Sequence, residues 1–213
     1  DHGITMNGQF SLAENSNGAS PTATLTYIAD ADATDEHNEN FTIIIGENTT
    51  TNCSVSGNNP THVHTINDND YAPYVYFSAD DRTPDQTEGS SGEYQMEIVV
   101  VLSLASGKDD ISVGYEVDAA ETTVDDDDWN SLAGELVFDA GEVSKSFTFN
   151  VNGDVLDEPN EYLKFVLTDY NNTRKYTGRD SYTIRFLDDD DAPDVFFSES
   201  DVGENEEVVN PPI

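Results

Sequence analysis

The chain repeats itself, and no other feature constrains its fold as much. The segment Asp70-Tyr-Ala-Pro-Tyr-Val-Tyr-Phe-Ser78 returns as Asp190-Asp-Ala-Pro-Asp-Val-Phe-Phe-Ser198, so Pro73 and Pro193 are 120 positions apart, as are Phe77 and Phe197. Glu36 and Glu158 lie 122 apart, as do Glu39 and Glu161. Asp1-His2 ahead of Gly8-Gln-Phe-Ser-Leu12 corresponds to Asp128-Trp129 ahead of Gly134-Glu-Leu-Val-Phe138. The 213 residues therefore divide into three parts. Residues 1–71 are the C-terminal part of one repeat (strands D to G), 72–190 a complete repeat, and 191–213 the opening A-strand segment of a third. The expectation is a window on a longer array.

Within the complete repeat the apolar residues alternate, which is the period of a strand and not of a helix. The alternation predicts A at Val75–Ser78, B at Tyr94–Leu104, C at Ile111–Val117, D at Glu135–Phe138, E at Ser144–Val151, F at Tyr162–Thr168 and G at Ser181–Leu187. Seven short strands joined by Gly- and Asp-bearing turns make an antiparallel sandwich. The fold class is all-β, a tandem of immunoglobulin-like seven-stranded antiparallel β-sandwiches.

Charge then limits the partners. The chain has 44 acids against 8 bases, a formal net charge of -36. Nucleic acid and anionic membrane surfaces both need basic side chains to displace counterions, so neither is an expected partner. No apolar run approaches the roughly 20 residues of a membrane-spanning helix. Ten Tyr and ten Phe in alternating runs supply a core that a disordered acidic chain lacks. Cys53 is the only cysteine, so neither an internal disulfide nor a thiolate metal site is available. The triplets beginning at Asn40, Asn48, Asn52 and Asn171 fit the glycosylation acceptor pattern, which matters only in a eukaryotic secretory pathway.

The acids have a pattern of their own. If successive strands run up and down, A, C, E and G end at one pole. The A–B, C–D and E–F connections and the residues after G then meet there. These segments carry Glu88, the run Asp125–Asp128, Asp154 with Glu158 and Glu161, and the run Asp188–Asp191. Carboxylates crowded at one pole raise one another's pKa values unless a cation sits among them. Calcium suits such a pole, because it takes six to eight oxygen ligands in flexible geometry and needs no His or Cys; magnesium prefers more water and ranks second. Asp125 to Asp127 read as solvated companions of Asp128.

At this point the residues resemble a known family. DEPNEYLKFVL at 157–167, Asp128-Trp129 with GELVFDAGE at 134–142, and FLDDDDAPDVFFS at 186–198 are similar to Calx-β repeats, the calcium-binding sandwiches of sodium–calcium exchangers and large adhesion proteins. The resemblance implies calcium as the cofactor. In the complete repeat it implies ligands at Glu88, Asp128, Asp154, Glu158, Glu161, Asp188, Asp189 and Asp190. In the first repeat it implies Asp1, Asp32, Glu36, Glu39, Asp68 and Asp70, and in the third Glu204. Gly153 and Ala31 depart from it where the family usually has the first Asp of a pair, and Asn69 replaces the middle Asp of the terminal run.

Other readings are weaker. Asp30-Ala-Asp32 opens like an EF-hand loop, but Asp35 stands where that loop needs Gly and Phe41 where it needs Glu. His62 and His64 share a strand face without a third nitrogen or sulfur ligand, so they read as ordinary strand residues. Trp129 reads as core. Two carboxylates can serve a glycosidase, but an acid cluster repeated at every domain junction, with no nucleophile beside a base, points away from an enzyme.

The expectation is a non-catalytic, calcium-stiffened segment of a large extracellular surface, adhesion or matrix protein. Its partners are neighbouring repeats of the same chain, other copies in a fibre or surface array, and a glycan or protein adhesion target. Two alternatives stay open: a calcium-sensing regulatory domain of a transporter, and a carbohydrate-binding module using exposed aromatics.

Overall fold

A computed structural model describes residues 25–27, 32–45, 61–78, 85–124, 129, 132–198 and 203. Every element in these residues is a strand. Two belong to the first repeat: β1 (Glu39–Ile44) and β2 (Thr61–Ile66), paired antiparallel with Phe41 opposite His64. Tyr27 stands edge-on to both of those rings, at 4.8 and 5.0 Å. His64 is thus part of an aromatic cluster, and His62 is exposed.

The complete repeat holds β3 (Tyr74–Phe77), β4 (Asp85–Thr87), β5 (Gly92–Leu102), β6 (Ile111–Val117), β7 (Gly134–Phe138), β8 (Ser144–Gly153), β9 (Glu161–Asn171), β10 (Arg174–Lys175) and β11 (Ser181–Leu187). They form two sheets, of order β10-β3-β5-β8 and β4-β11-β9-β6-β7. Alternation sends one face of each strand inward. Val75 and Phe77, Ile98, Val100 and Leu102, and Phe147, Phe149 and Val151 are buried from the first sheet. Ile111 and Val113, Leu136 and Phe138, Leu163, Phe165 and Leu167, and Ile184 and Phe186 are buried from the second. Each such side chain contributes about 1.5–3 kcal/mol on burial. Trp129 is buried as well, edge-on to Phe165 at 6.5 Å.

The seven expected strands are all present, but the first repeats in a second sheet. After Phe77 the chain resumes as β4, parallel to β11, with Thr87 opposite Leu187. β10 is a further two-residue strand, parallel to β3. Of strands D to G expected in the first repeat, those ahead of residue 39 fall largely outside the described residues. Residues 191–198, expected to open a third repeat, form no strand; Val195 and Phe197 are 98 % and 94 % exposed.

Candidate metal centres at two acidic poles

β4 runs parallel to β11, so the residues following each strand emerge side by side. Glu88 donates its N–H to Leu187 O at 3.1 Å, and Gly89 donates its N–H to Asp189 Oδ1 at 2.9 Å. The E–F connection joins them through Asn160, whose Oδ1 accepts the Asp188 N–H at 3.2 Å. Glu161 pairs with Phe186 in the ladder, two residues ahead of Asp188. The C–D connection reaches the same end: Trp129 bridges Val151, and Thr123 Oγ1 accepts the Tyr162 N–H at 2.9 Å.

Glu88 is buried at 8 % exposure. Asp188 Oδ1 is buried and accepts no hydrogen bond among the described residues. Partial burial pushes the Asp190 carboxyl above its ordinary range, and Asp189, Asp188 and Asp154 push it the same way, against a hydrogen bond with the Ser90 side chain. The Tyr94 hydroxyl is raised by burial first and then by Glu88 and Asp189. Asp154, Asp188 and Asp189 thus all lie close enough to act on Asp190, and Glu88 and Asp189 close enough to act on Tyr94. Glu158, in the connection beside these acids, and Glu161, at the start of β9, are half-buried. Asp128, Asp1 and Glu204 lie outside the described residues.

The second pole lies beside the β1–β2 hairpin. Asp32, Glu36, Glu39, Asp68 and Asp70 line one cleft between the segment ahead of β1 and the segment after β2. Asn38 Oδ1 accepts the Asp68 N–H at 2.9 Å, as Asn160 Oδ1 accepts that of Asp188. Both carboxamides tie an E–F connection to the acid run after G. Sequence reading passed over them, although Asn38 and Asn160 stand at the same 122-residue spacing as the glutamates.

Such a donor set is all oxygen, it includes an orphaned buried carboxylate oxygen, and it is mutually repulsive. A hard, high-coordination cation fits it on each count. Gly153 limits the set: a Cβ there would lie 2.0 Å from Gly89 O, so the turn after β4 fills the space a side chain would need.

Sequence reading also missed the contact between the repeats. Asp35 is 1 % exposed, and its carboxylate takes Lys108 Nζ at 2.6 Å and Ser106 Oγ at 2.9 Å. Its carbonyl accepts from Ser106 Oγ at 2.7 Å and Gly107 N at 2.8 Å. A Cβ on Gly107 would lie 2.9 Å from Glu36 Cγ, so a side chain there would push the Glu36 side chain aside. His37 adds exposed contacts to Asp109 at 3.5 Å and Asp110 at 3.4 Å.

Residues 68–191 match the family model described as the Calx-beta domain, which is more than half of the chain. The chain belongs to the Calx-beta family. Among solved structures, an apo-form Calx CBD1 domain is similar at 22 % identity and TM-score 0.45, covering 55 % of this chain and 98 % of that one. The CBD12 of CALX1.2 (22 % identity, TM-score 0.45) and the calcium binding domain CBD12 of CALX1.1 (24 %, 0.44) each cover 55 % of this chain and 44 % of theirs. No curated protein matches the chain. Calcium is the cation of Calx-beta domains, and the oxygen-only poles have the donor chemistry for it.

Proposed function

We propose that this Calx-beta chain is a non-catalytic calcium-binding segment in which the cation stiffens the junction between successive sandwiches. One observation carries the reading. The single connection Asp32–Glu39 supplies three acids to the first cleft and also inserts Asp35 into the next repeat's B–C turn. Glu36, a candidate ligand, packs directly on Gly107 of that turn. A cation held by Asp32, Glu36 and Glu39 would fix the backbone that presents Asp35. Without it, repulsion among those carboxylates would favour an open connection and a looser junction. The setting that suits such a spacer is a large extracellular surface, adhesion or matrix protein. The regulatory alternative uses the same hinge to report calcium to a transporter, and membrane spans flanking the repeats in the parent sequence would distinguish it.

Titration of chelated protein, followed by calorimetry, thermal melting and small-angle scattering, tests the proposal. Calcium binding to the native state alone should raise the melting temperature as ln(1 + [Ca]/Kd) grows, and the spread of interdomain distances should narrow together with it. No shift with calcium, or an equal shift with magnesium, would overturn the calcium site. A melting shift without any change in scattering would leave the site standing and remove the hinge.

A further inference from the structure

The described bases are almost all spoken for. Lys108, Lys145, Lys164, Lys175 and Arg185 each pair with a carboxylate. Arg174 and Arg179 have no carboxylate partner among the described residues, in a chain with 44 acids to draw on. They lie instead on tyrosine faces. The Arg174 guanidinium is 4.1 Å from the Tyr74 ring centroid and 5.2 Å from that of Tyr71, and Arg179 is 4.5 Å from that of Tyr76. Tyr176 closes the row, 5.6 Å from Tyr74 and 5.2 Å from Tyr76.

The row runs along the outer face of β3, where Tyr74 and Tyr76 point away from the core that holds Val75 and Phe77. Stacking covers the flat face of a guanidinium and leaves its in-plane N–H edge for an anion. Arg174 commits only Nε, to Ala72 O at 2.6 Å. Arg179 commits one terminal nitrogen to the carbonyls of Phe77 and Ser78 and buries its Nε, so its other terminal nitrogen is what it can offer an anion. Tyr71 is 77 % exposed and Tyr176 43 % exposed, each a rigid apolar plate with a hydroxyl at its rim.

We propose that this arginine–tyrosine row binds an anionic polysaccharide, its sulfate or carboxylate groups on the guanidinium edges and its sugar rings against Tyr71 and Tyr176. Charge complementarity selects the occupant, because Arg174 and Arg179 are the two described bases with no carboxylate partner among the described residues, the neighbouring Asp180 being taken by Lys175 at 2.5 Å. The net charge of -36 repels a polyanion at distance. The screening length of about 8 Å at physiological ionic strength confines that repulsion and leaves contact chemistry at the row to decide. The site is independent of the calcium poles, so its failure would leave them untouched.

Calorimetry in excess chelator, where no cation can bridge glycan to acid, uses oligomers of dextran sulfate, polygalacturonate and neutral dextran. Binding of either polyanion without binding of dextran is the expected result, and the two charged arms show whether sulfate or carboxylate is preferred. Arg174→Lys keeps the charge and loses the fork, and should weaken binding by about tenfold or more. Tyr176→Ala, which removes no backbone contact, should weaken it too and guards against loss of folding in the arginine variant; melting curves check both. Equal binding of dextran, no binding of either polyanion, or wild-type affinity in both variants would overturn the proposal. So would reversible self-association lost in Arg174→Lys, which would assign the face to a second copy of the chain.

Discussion

Gly153 shows how one residue sets the make-up of the pole in the complete repeat. The family resemblance places an acid at this position, yet a Cβ here would meet Gly89 O at 2.0 Å and Glu88 O at 2.8 Å. Both are backbone atoms of a turn held by the Gly89 N–H bond to Asp189. The turn cannot withdraw without moving two candidate ligands, Glu88 and Asp189. Gly153→Asp should therefore restore the family residue and still fail to add an ion. It should cost about 1–3 kcal/mol of apo stability, as overpacking does. Melting in chelator and calorimetric stoichiometry check this; an added ion with unchanged apo stability would mean the turn yields freely.

Elements divide into those that alternation reveals and those that only tertiary pairing creates. β5, β8 and β9 were legible because apolar residues recur at every second position, and Phe147, Phe149 and Val151 are indeed all buried. Asp85–Thr87 carries no apolar residue. It is a strand because it lies against Arg185–Leu187, with Asp85 bidentate to Arg185 at 2.8 and 2.7 Å. The acid poles were legible in outline from strand parity. The Asp35 contact was not, since one acid in a loop of four has no local mark of burial. Packed strands also raise tyrosine pKa values. Burial does so for Tyr115 and Tyr182, and it takes Tyr170, whose hydroxyl donates to Leu167 O at 3.0 Å, up to about 12 with help from Asp180. A hydroxyl whose folded pKa exceeds its unfolded value contributes stability in full below about pH 10. That contribution is lost as pH rises through the folded value. Stability should fall between pH 10 and 12, and Tyr170→Phe should flatten the fall in denaturant titrations across that range. An unchanged slope would show that Tyr170 is not protonated by its packing.

At the scale of the whole molecule, the segment ahead of the β1–β2 hairpin meets the sandwich of residues 72–190 through a buried charge, which makes that contact specific in a chain dominated by repulsion. Asp157 stands 122 positions after Asp35, with Glu158 beside it as Glu36 is beside Asp35, and Asp157 is exposed. The same loop chemistry thus recurs at the far pole of the complete repeat. Removing one member of a buried pair is strongly unfavourable, about 3–5 kcal/mol, because the other charge stays without compensation. Lys108→Ala should therefore release Asp35 from its site and unlock the junction even with calcium saturating. The complete sandwich should melt as before, since Lys108 lies on its surface turn and contributes nothing to the core. Scattering from the calcium-loaded variant should match chelated wild type, with a longer maximum dimension than the loaded wild type. A wild-type scattering curve from Lys108→Ala would separate calcium binding from this contact and place the rigidity of the junction elsewhere, in the linker gripped by Arg174 at Ala72.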